Sequence, residues 1–245
     1  MAMSKLGAPE QARWRFRGDE EDSPWMVGTD LHLKAVIALL QALRRALDVQ
    51  QGPWYVSGEM FVHYGPAAGD HVAPDVYAAQ VADYPRDTYH VAREGRFPPF
   101  VLEVISSSSW ERDAEEKAQI YETLGALEYV LFDPTREGLR RGGPAPGGEA
   151  ELWGYRRDEW GAFTPWTVDA TGALRSAVLG GIELRVEGSR LRVLSHTGDP
   201  VLFDDELDAA RQEAEAGRAA AEVARQEAEQ EVERLRAELR RFGLA

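Results

Sequence analysis

The sequence predicts an α/β fold in which helices flank a mixed central sheet, followed by a β-rich extension and a long C-terminal helix. Three observations carry that prediction. An apolar, β-branched stretch, Pro99–Ser106, reads as a buried strand and is followed by a helical pattern that starts near Trp110. Period-two alternation recurs between Glu151 and Leu194, marking further strands. From Asp205 to Phe242 there is no proline, and Ala, Glu, Gln and Arg dominate, a composition that propagates helix. At 245 residues and 44% hydrophobic content, the chain supports one sizeable core plus an appendage.

The first predicted element is an amphipathic helix opened by Thr29-Asp-Leu-His32. Leu33, Val36, Ile37, Leu40, Leu43 and Leu47 form its apolar stripe, with Thr29 or Asp30 as its cap. His32 falls just outside the stripe, where it either supports the helix start or serves a site. A strand over Trp54–Val62 places Glu59 opposite Met60 and Val62 by alternation. Val72–Tyr77 reads as a second strand, with Asp75 just after Pro74. Central ladder positions exclude proline, so an edge or a bulge is expected there.

Pro99-Phe-Val-Leu-Glu-Val-Ile-Ser106 is a buried strand with a carboxylate inside it. Burying Glu103 costs several kcal/mol unless a cation or hydrogen bonds compensate, so the residue signals a site. Ser106–Ser109 form a loop able to cap a helix that starts near Trp110. On that helix Asp113, Lys117 and Tyr121 recur every four residues and share one face. Asp113 and Lys117 alone would be an ordinary surface pair. Two carboxylates from separate strands, Asp75 and Glu103, beside a lysine make a divalent-cation site next to a positive charge. Magnesium prefers such oxygen ligands and retains waters, an arrangement suited to phosphodiester hydrolysis.

Thr135–Ala150 is a Gly/Pro-rich loop. Strands follow at Glu151–Tyr155 and Ala162–Val168, then a hairpin of Ile182–Val186 and Arg190–Leu194. They extend or wrap the core sheet, and their tryptophans serve packing before binding. In the final helix, small residues from Leu207 through Ala228 recur three and four apart, giving way to Val232, Leu235, Leu239 and Phe242. That spacing fits a coiled coil whose larger residues do most of the holding, with a solvated single helix as the alternative.

Charge and composition set limits. The net charge is −14, and such a chain repels a phosphate backbone unless a local basic groove exists. Residues 204–245 carry 12 acids and seven arginines, net −5, which leaves −9 for the remainder. Arg93, Arg96, Arg112, Arg140 and Arg141 are the candidates for a groove. No cysteine and only five histidines, none in H-x-H or H-x-x-x-H spacing, argue against a zinc site. No apolar run reaches the length of about 18 residues that a membrane span needs, and no secretory signal follows Met1; the expectation is a cytoplasmic protein.

The order Pro74-Asp75, Glu103-Val104-Ile105-Ser106, D-x-x-x-K-x-x-x-Y from Asp113 to Tyr121, and Glu128-Tyr-Val-Leu-Phe-Asp-Pro134 resembles the Uma-type restriction-endonuclease family of the PD-(D/E)XK nuclease superfamily. The resemblance covers roughly residues 13–203 and is most specific from Pro98 to Pro134. It implies a restriction-endonuclease-like core over 1–203, which the coiled-coil helix read from residue spacing follows over 204–245. It also implies that Asp75, Glu103 and the Val104 carbonyl hold Mg²⁺ or Mn²⁺. The lysine expected two residues after Glu103 is Ile105 here, and Lys117 resembles the relocated lysine of this branch, placing the attacking water. Asp113, Tyr121, His32 and Glu59 would support that centre. The implied activity is metal-dependent hydrolysis of DNA, and the coiled-coil pattern of the last helix adds homodimerisation as an expectation. A catalytically silent fold acting as an oligomerising module, and a nuclease acting on RNA, are the alternatives.

Overall fold

The computed structural model describes residues 30–48, 52–106, 110, 112–136 and 151–242. The chain divides into two units at Asp199 and Pro200. In the first, helix α1 (Asp30–Asp48) buries Val36, Leu39, Ala42, Leu43, Ala46 and Leu47. Full burial of each leucine contributes about 1.5–3 kcal/mol. The buried face is rotated from the predicted stripe: Leu33 and Ile37 are exposed, and Leu39 takes the inward place. Asp30 is the first helical residue and pairs with Lys34 (2.6 Å) rather than capping; Thr29 lies outside the described residues.

Six strands make the main sheet, in the order β1 (Tyr55–Ser57), β4 (Val76–Ala79), β6 (Phe100–Val104), β7 (Glu128–Phe132), β8 (Leu152–Arg157) and β9 (Phe163–Thr167). Only β6 and β7 run parallel; the other pairs are antiparallel. A parallel pair needs a crossover, supplied here by a π-helical turn (Arg112–Lys117) running into α3 (Ala118–Leu124). Every residue of β6 and β7 is buried. Their side chains feed a core that includes Tyr77, Tyr89, Val101, Ile105, Tyr121, Tyr129 and Leu131. α1 lies against β1, β4 and β6.

Two small sheets complete this unit. One contains β10 (Ala173–Arg175), β11 (Glu183–Glu187) and β12 (Arg190–Leu194), all antiparallel. The other has β2 (Val62–His63) between β3 (His71–Val72) and β5 (Tyr89–His90), with a one-turn helix, α2 (Val91–Glu94), directly after β5. The predicted hairpin is therefore present with β10 as an added strand, while β8 and β9 extend the main sheet. Trp153 and Trp166 pack inside, whereas Trp160 stands exposed in the β8–β9 turn. The Gly/Pro-rich loop lies outside the described residues from 137 to 150.

Two strand assignments are corrected. The Trp54–Val62 stretch is not one strand: β1 ends at Ser57, and Glu59 occupies a left-handed turn (φ 52°) before β2. Likewise Val72–Tyr77 is divided by Pro74 and Asp75 between β3 and β4, which belong to different sheets. β4 is an interior strand, and Asp75 precedes it, so no edge is needed to accommodate Pro74. Proline supplies no ladder donor, which ends one strand and lets the next begin in another sheet.

The second unit contains α4 (Asp204–Arg241), in which no residue is buried. Glu206 accepts a hydrogen bond from the Phe203 N–H at 2.9 Å and closes the first turn. Pairs such as Arg225 with Glu222 and Glu229 run along its surface, each contributing a few tenths of a kcal/mol. Among the described residues no helix is long and apolar enough to cross a membrane.

Candidate active site

The site is assembled from five places in the chain: the start of α1, the turn after β1, the turn before β4, the C-terminal end of β6, and the first turns of the crossover helix. Glu103 is fully buried in β6. Its Oε1 accepts the Tyr121 hydroxyl at 2.6 Å, and its Oε2 meets Lys117 Nζ at 2.9 Å. The Asp75 N–H reaches the same Oε2 at 3.3 Å. Asp75 Oδ2 accepts the Val104 N–H at 2.7 Å and lies 3.1 Å from His32 Nε2.

Lys117 also stands 2.9 Å from Asp113 Oδ1, an ion pair without the alignment of a hydrogen bond. Both carboxylates it meets are almost wholly buried, so the helix-surface reading of Asp113 and Lys117 does not hold. The π-helical turn lets both residues face the sheet, and π-turns recur at functional sites. Tyr129 donates to the Asp113 carbonyl at 2.6 Å and fixes that turn to β7. Residues 107–109, proposed as its cap, lie outside the described residues.

Glu59 was read from an incorrect strand, yet the turn that replaces the strand brings it to the same place. His32, Glu59 and Asp75 present ligand atoms that all lie within 4.8 Å of one another. The Glu59 N–H donates to the Pro74 carbonyl at 2.9 Å, locking the two turns together. Of the predicted residues, the structure thus gathers Asp75, His32 and Glu59 in one group and Glu103, Lys117, Asp113 and Tyr121 in another. The contacts between Asp75, Glu103 and Val104 join them. Val104 contributes its N–H; Ile105, at the usual lysine position, belongs to the hydrophobic core.

The electrostatics follow from burial. Desolvation pushes the Glu103 carboxyl well up, and Asp75 and Asp113 add to this while Lys117 opposes it. Burial would also raise Asp75, but the His32 hydrogen bond, the charges of Lys117 and His32, and the Val104 N–H hold it below the usual carboxylate range. For Lys117 burial works against the charge, yet Glu103, Asp113 and Asp75 keep it protonated. Desolvation, with Asp75, raises Glu59. Four acids therefore face one lysine and one histidine, a balance that an added cation would improve.

Sequence reading missed Gly58. A Cβ built there would stand 1.9 Å from the Asp75 carbonyl oxygen, so only glycine allows the two turns to approach this closely. Gly58→Ala is expected to destabilise the protein by about 1–3 kcal/mol and to displace Asp75. Urea denaturation beside a cleavage assay checks both effects. The only sequence signal was a glycine inside an apparent strand, which marks a bend or close backbone approach.

His32 gives the site a pH signature in metal-free protein. The Asp75 hydrogen bond raises its pKa above 6.5 against the effect of burial. A raised folded value adds stability that is complete below the unfolded value and is lost as pH climbs through the folded one. Asp75, lowered from 3.8, adds stability that is lost only as pH falls through its folded value. In chelator, the thermal midpoint of wild type should exceed that of His32→Gln most between about pH 5 and 6.5, with the gap closing toward about pH 9.

A family profile described as "Uma2: Putative restriction endonuclease" matches residues 12–165. The chain belongs to the Uma2 family. Its fold is the mixed α/β arrangement expected of that family, and the family is one of nucleases by description. A solved structure of a "putative nuclease belonging to DUF820" from Anabaena variabilis is similar to this Uma2-family chain at a TM-score of 0.42 and 12% identity, covering 61% of this chain and 73% of that one. No curated protein matches the chain.

Proposed function

We propose that this Uma2-family chain is a metal-dependent endonuclease that hydrolyses phosphodiester bonds of DNA. The observation that carries the reading is Lys117 Nζ at 2.9 Å from the buried Glu103 Oε2. An ammonium from the crossover helix thus stands beside the strand acid, while the strand position that would hold the lysine is Ile105. Asp75 and Glu103, with the Val104 carbonyl, would hold Mg²⁺ or Mn²⁺. The spacing of Glu59 and His32 from Asp75 makes them further candidate ligands, and an imidazole nitrogen among oxygens favours Mn²⁺ over Mg²⁺.

When bound, the ion supplies positive charge against the phosphate oxygens and makes a nearby water more acidic. Lys117 orients that water and adds charge where the transition state becomes more negative. Tyr121 fixes the Glu103 carboxylate, Asp113 holds the ammonium in place, and His32 orients Asp75. In this reading residues 1–203 form the nuclease domain and 204–245 a separate helix. Toward its C-terminal end α4 exposes Val232, Leu235 and Leu239, and Phe242 directly after it is exposed too. That favours pairing of two copies, and equally the second reading, a silent nuclease fold serving as an oligomerising module.

Calorimetry with Mn²⁺ and Mg²⁺, with plasmid nicking on the same samples, tests the proposal in wild type and Asp75→Asn. Binding and nicking in wild type, both lost in the variant, are expected. Binding without nicking of DNA or of an RNA substrate would favour the silent module. Absence of binding at millimolar metal would overturn the metal centre.

A further inference from the structure

Three of the five histidines meet on the small sheet, well apart from one another in sequence. His63 on β2 is paired in register with His71 on β3 and with His90 on β5. The preceding row of the same ladder, Val62, Val72 and Tyr89, is buried. Alternation therefore puts the three imidazoles together on the opposite face. The His63 ring lies 5.4 Å from that of His71 and 4.8 Å from that of His90, centroid to centroid.

We propose that His63, His71 and His90 form a second metal site, specific for a zinc-class divalent ion, that clips β2, β3 and β5 together. Imidazole nitrogens suit zinc, copper and nickel, whereas magnesium and calcium take oxygen. The hydrogen bonds around the row bear on which ring nitrogens keep a lone pair. His71 Nδ1 lies 2.9 Å from the Ala68 carbonyl. A carbonyl only accepts, so Nδ1 carries the proton and Nε2 keeps the lone pair. Thr88 Oγ1 lies 2.8 Å from His90 Nε2; with the hydroxyl accepting, Nδ1 of that ring keeps its lone pair.

His63 is the shared ligand between the two. In the metal-free protein the rings stand as a stack with their ligand nitrogens apart, and binding would turn them about their side-chain torsions, exchanging the Ala68 and Thr88 contacts for bonds to the ion. Packing alone does not call for imidazole at three adjacent positions, since β-branched or aromatic residues cover a sheet face equally well. An ion there has a mechanical use. Each of the three strands is two residues long, so few ladder bonds hold them. His63 follows Glu59 by four residues and His71 precedes Asp75 by four, so the clip would brace both turns of the acidic centre.

The test is calorimetric titration of Zn²⁺ into full-length, metal-free protein. Wild type and Asp75→Asn are compared with His63→Ala, His71→Gln and His90→Gln. A saturable zinc equivalent is expected in wild type and Asp75→Asn. It should weaken about 100-fold in His63→Ala, beyond the effect of losing a supporting hydrogen bond. Zinc should also raise the thermal midpoint of Asp75→Asn protein and leave unchanged that of the histidine variants made in the Asp75→Asn background. If His63→Ala does not fold, the two glutamine variants, on the face opposite the core, carry the comparison. Zinc binding lost in Asp75→Asn but retained in the histidine variants would overturn the proposal. So would absence of a zinc event in wild type. Neither result depends on whether the acidic centre cleaves DNA.

Discussion

Lys117→Met should produce a protein without nicking activity and about 3–5 kcal/mol less stable than wild type, the usual consequence of removing one partner of a buried ion pair. Lys117 meets Glu103 and Asp113, both at 2.9 Å and both with side chains at most 3% exposed. Methionine fills the space of the lysine stem but leaves those charges facing each other without their cation. Glu103 can relieve this by taking a proton, because burial already pushes its carboxyl well up. A carboxyl raised in the folded state favours folding more as pH falls toward its unfolded value. Loss of the ammonium raises it further, so the stability gap to wild type should narrow as pH falls from about 8 to about 5. Urea denaturation across that range measures it. An unchanged midpoint at neutral pH would mean that Lys117 does not neutralise the buried acids.

Glu103→Gln should separate catalysis from stability. Glutamine keeps the shape of the side chain and still offers an oxygen to the Tyr121 hydroxyl, now 2.6 Å away. It removes the desolvation penalty of a buried charge along with the attraction to Lys117. These effects oppose one another, and the net stability change should stay within about 2 kcal/mol. Metal affinity and nicking have no such compensation, and nicking is expected to fall by about 10²–10³-fold or more. Calorimetry, nicking and thermal melting on one preparation give the comparison. Near-wild-type nicking would remove Glu103 from the proposed chemistry. A large loss of stability with normal metal binding would make it a structural anchor for Lys117.

The two variants act on one ion pair and should give opposite profiles. Removing the cation strands a charge in the core, whereas removing the anion leaves Lys117 beside Asp113. Together they distinguish a buried pair kept for folding from one kept for chemistry, which geometry alone does not do.

How much of this was legible before folding depended on the range of the interactions. Glu103 stood out because a carboxylate in the apolar run from Phe100 to Val104 is costly without a partner. Asp113, Lys117 and Tyr121 announced a shared face through their spacing, and a π-helical turn still kept them together. The β6 strand, the β11–β12 hairpin and the long terminal helix followed from local periodicity, whereas the parallel pairing of β6 with β7 did not. Each of these signals lies within a few turns or strand lengths of the chain, where backbone geometry fixes which side chains are neighbours.

The remaining features belong to tertiary structure. α1 turned its buried face toward Leu39 because the surface it packs against, not its own stripe, decides which residues are covered. Pro74 and Asp75 looked like the middle of one strand, but the flanking segments pair in different sheets. Glu59 reaches Asp75 through a left-handed turn, and Gly58 permits it by close backbone contact. The histidines at 63, 71 and 90 show no ligand spacing in sequence, since cross-strand neighbours are set by pairing register. The sequence by itself thus determined the family and the α/β architecture and singled out the acids and the lysine as candidates, because local pattern and the cost of buried charge are written in neighbouring residues. Only the tertiary structure decided which of them share an atom-to-atom centre, because register and close backbone approach join segments that have no pattern in common.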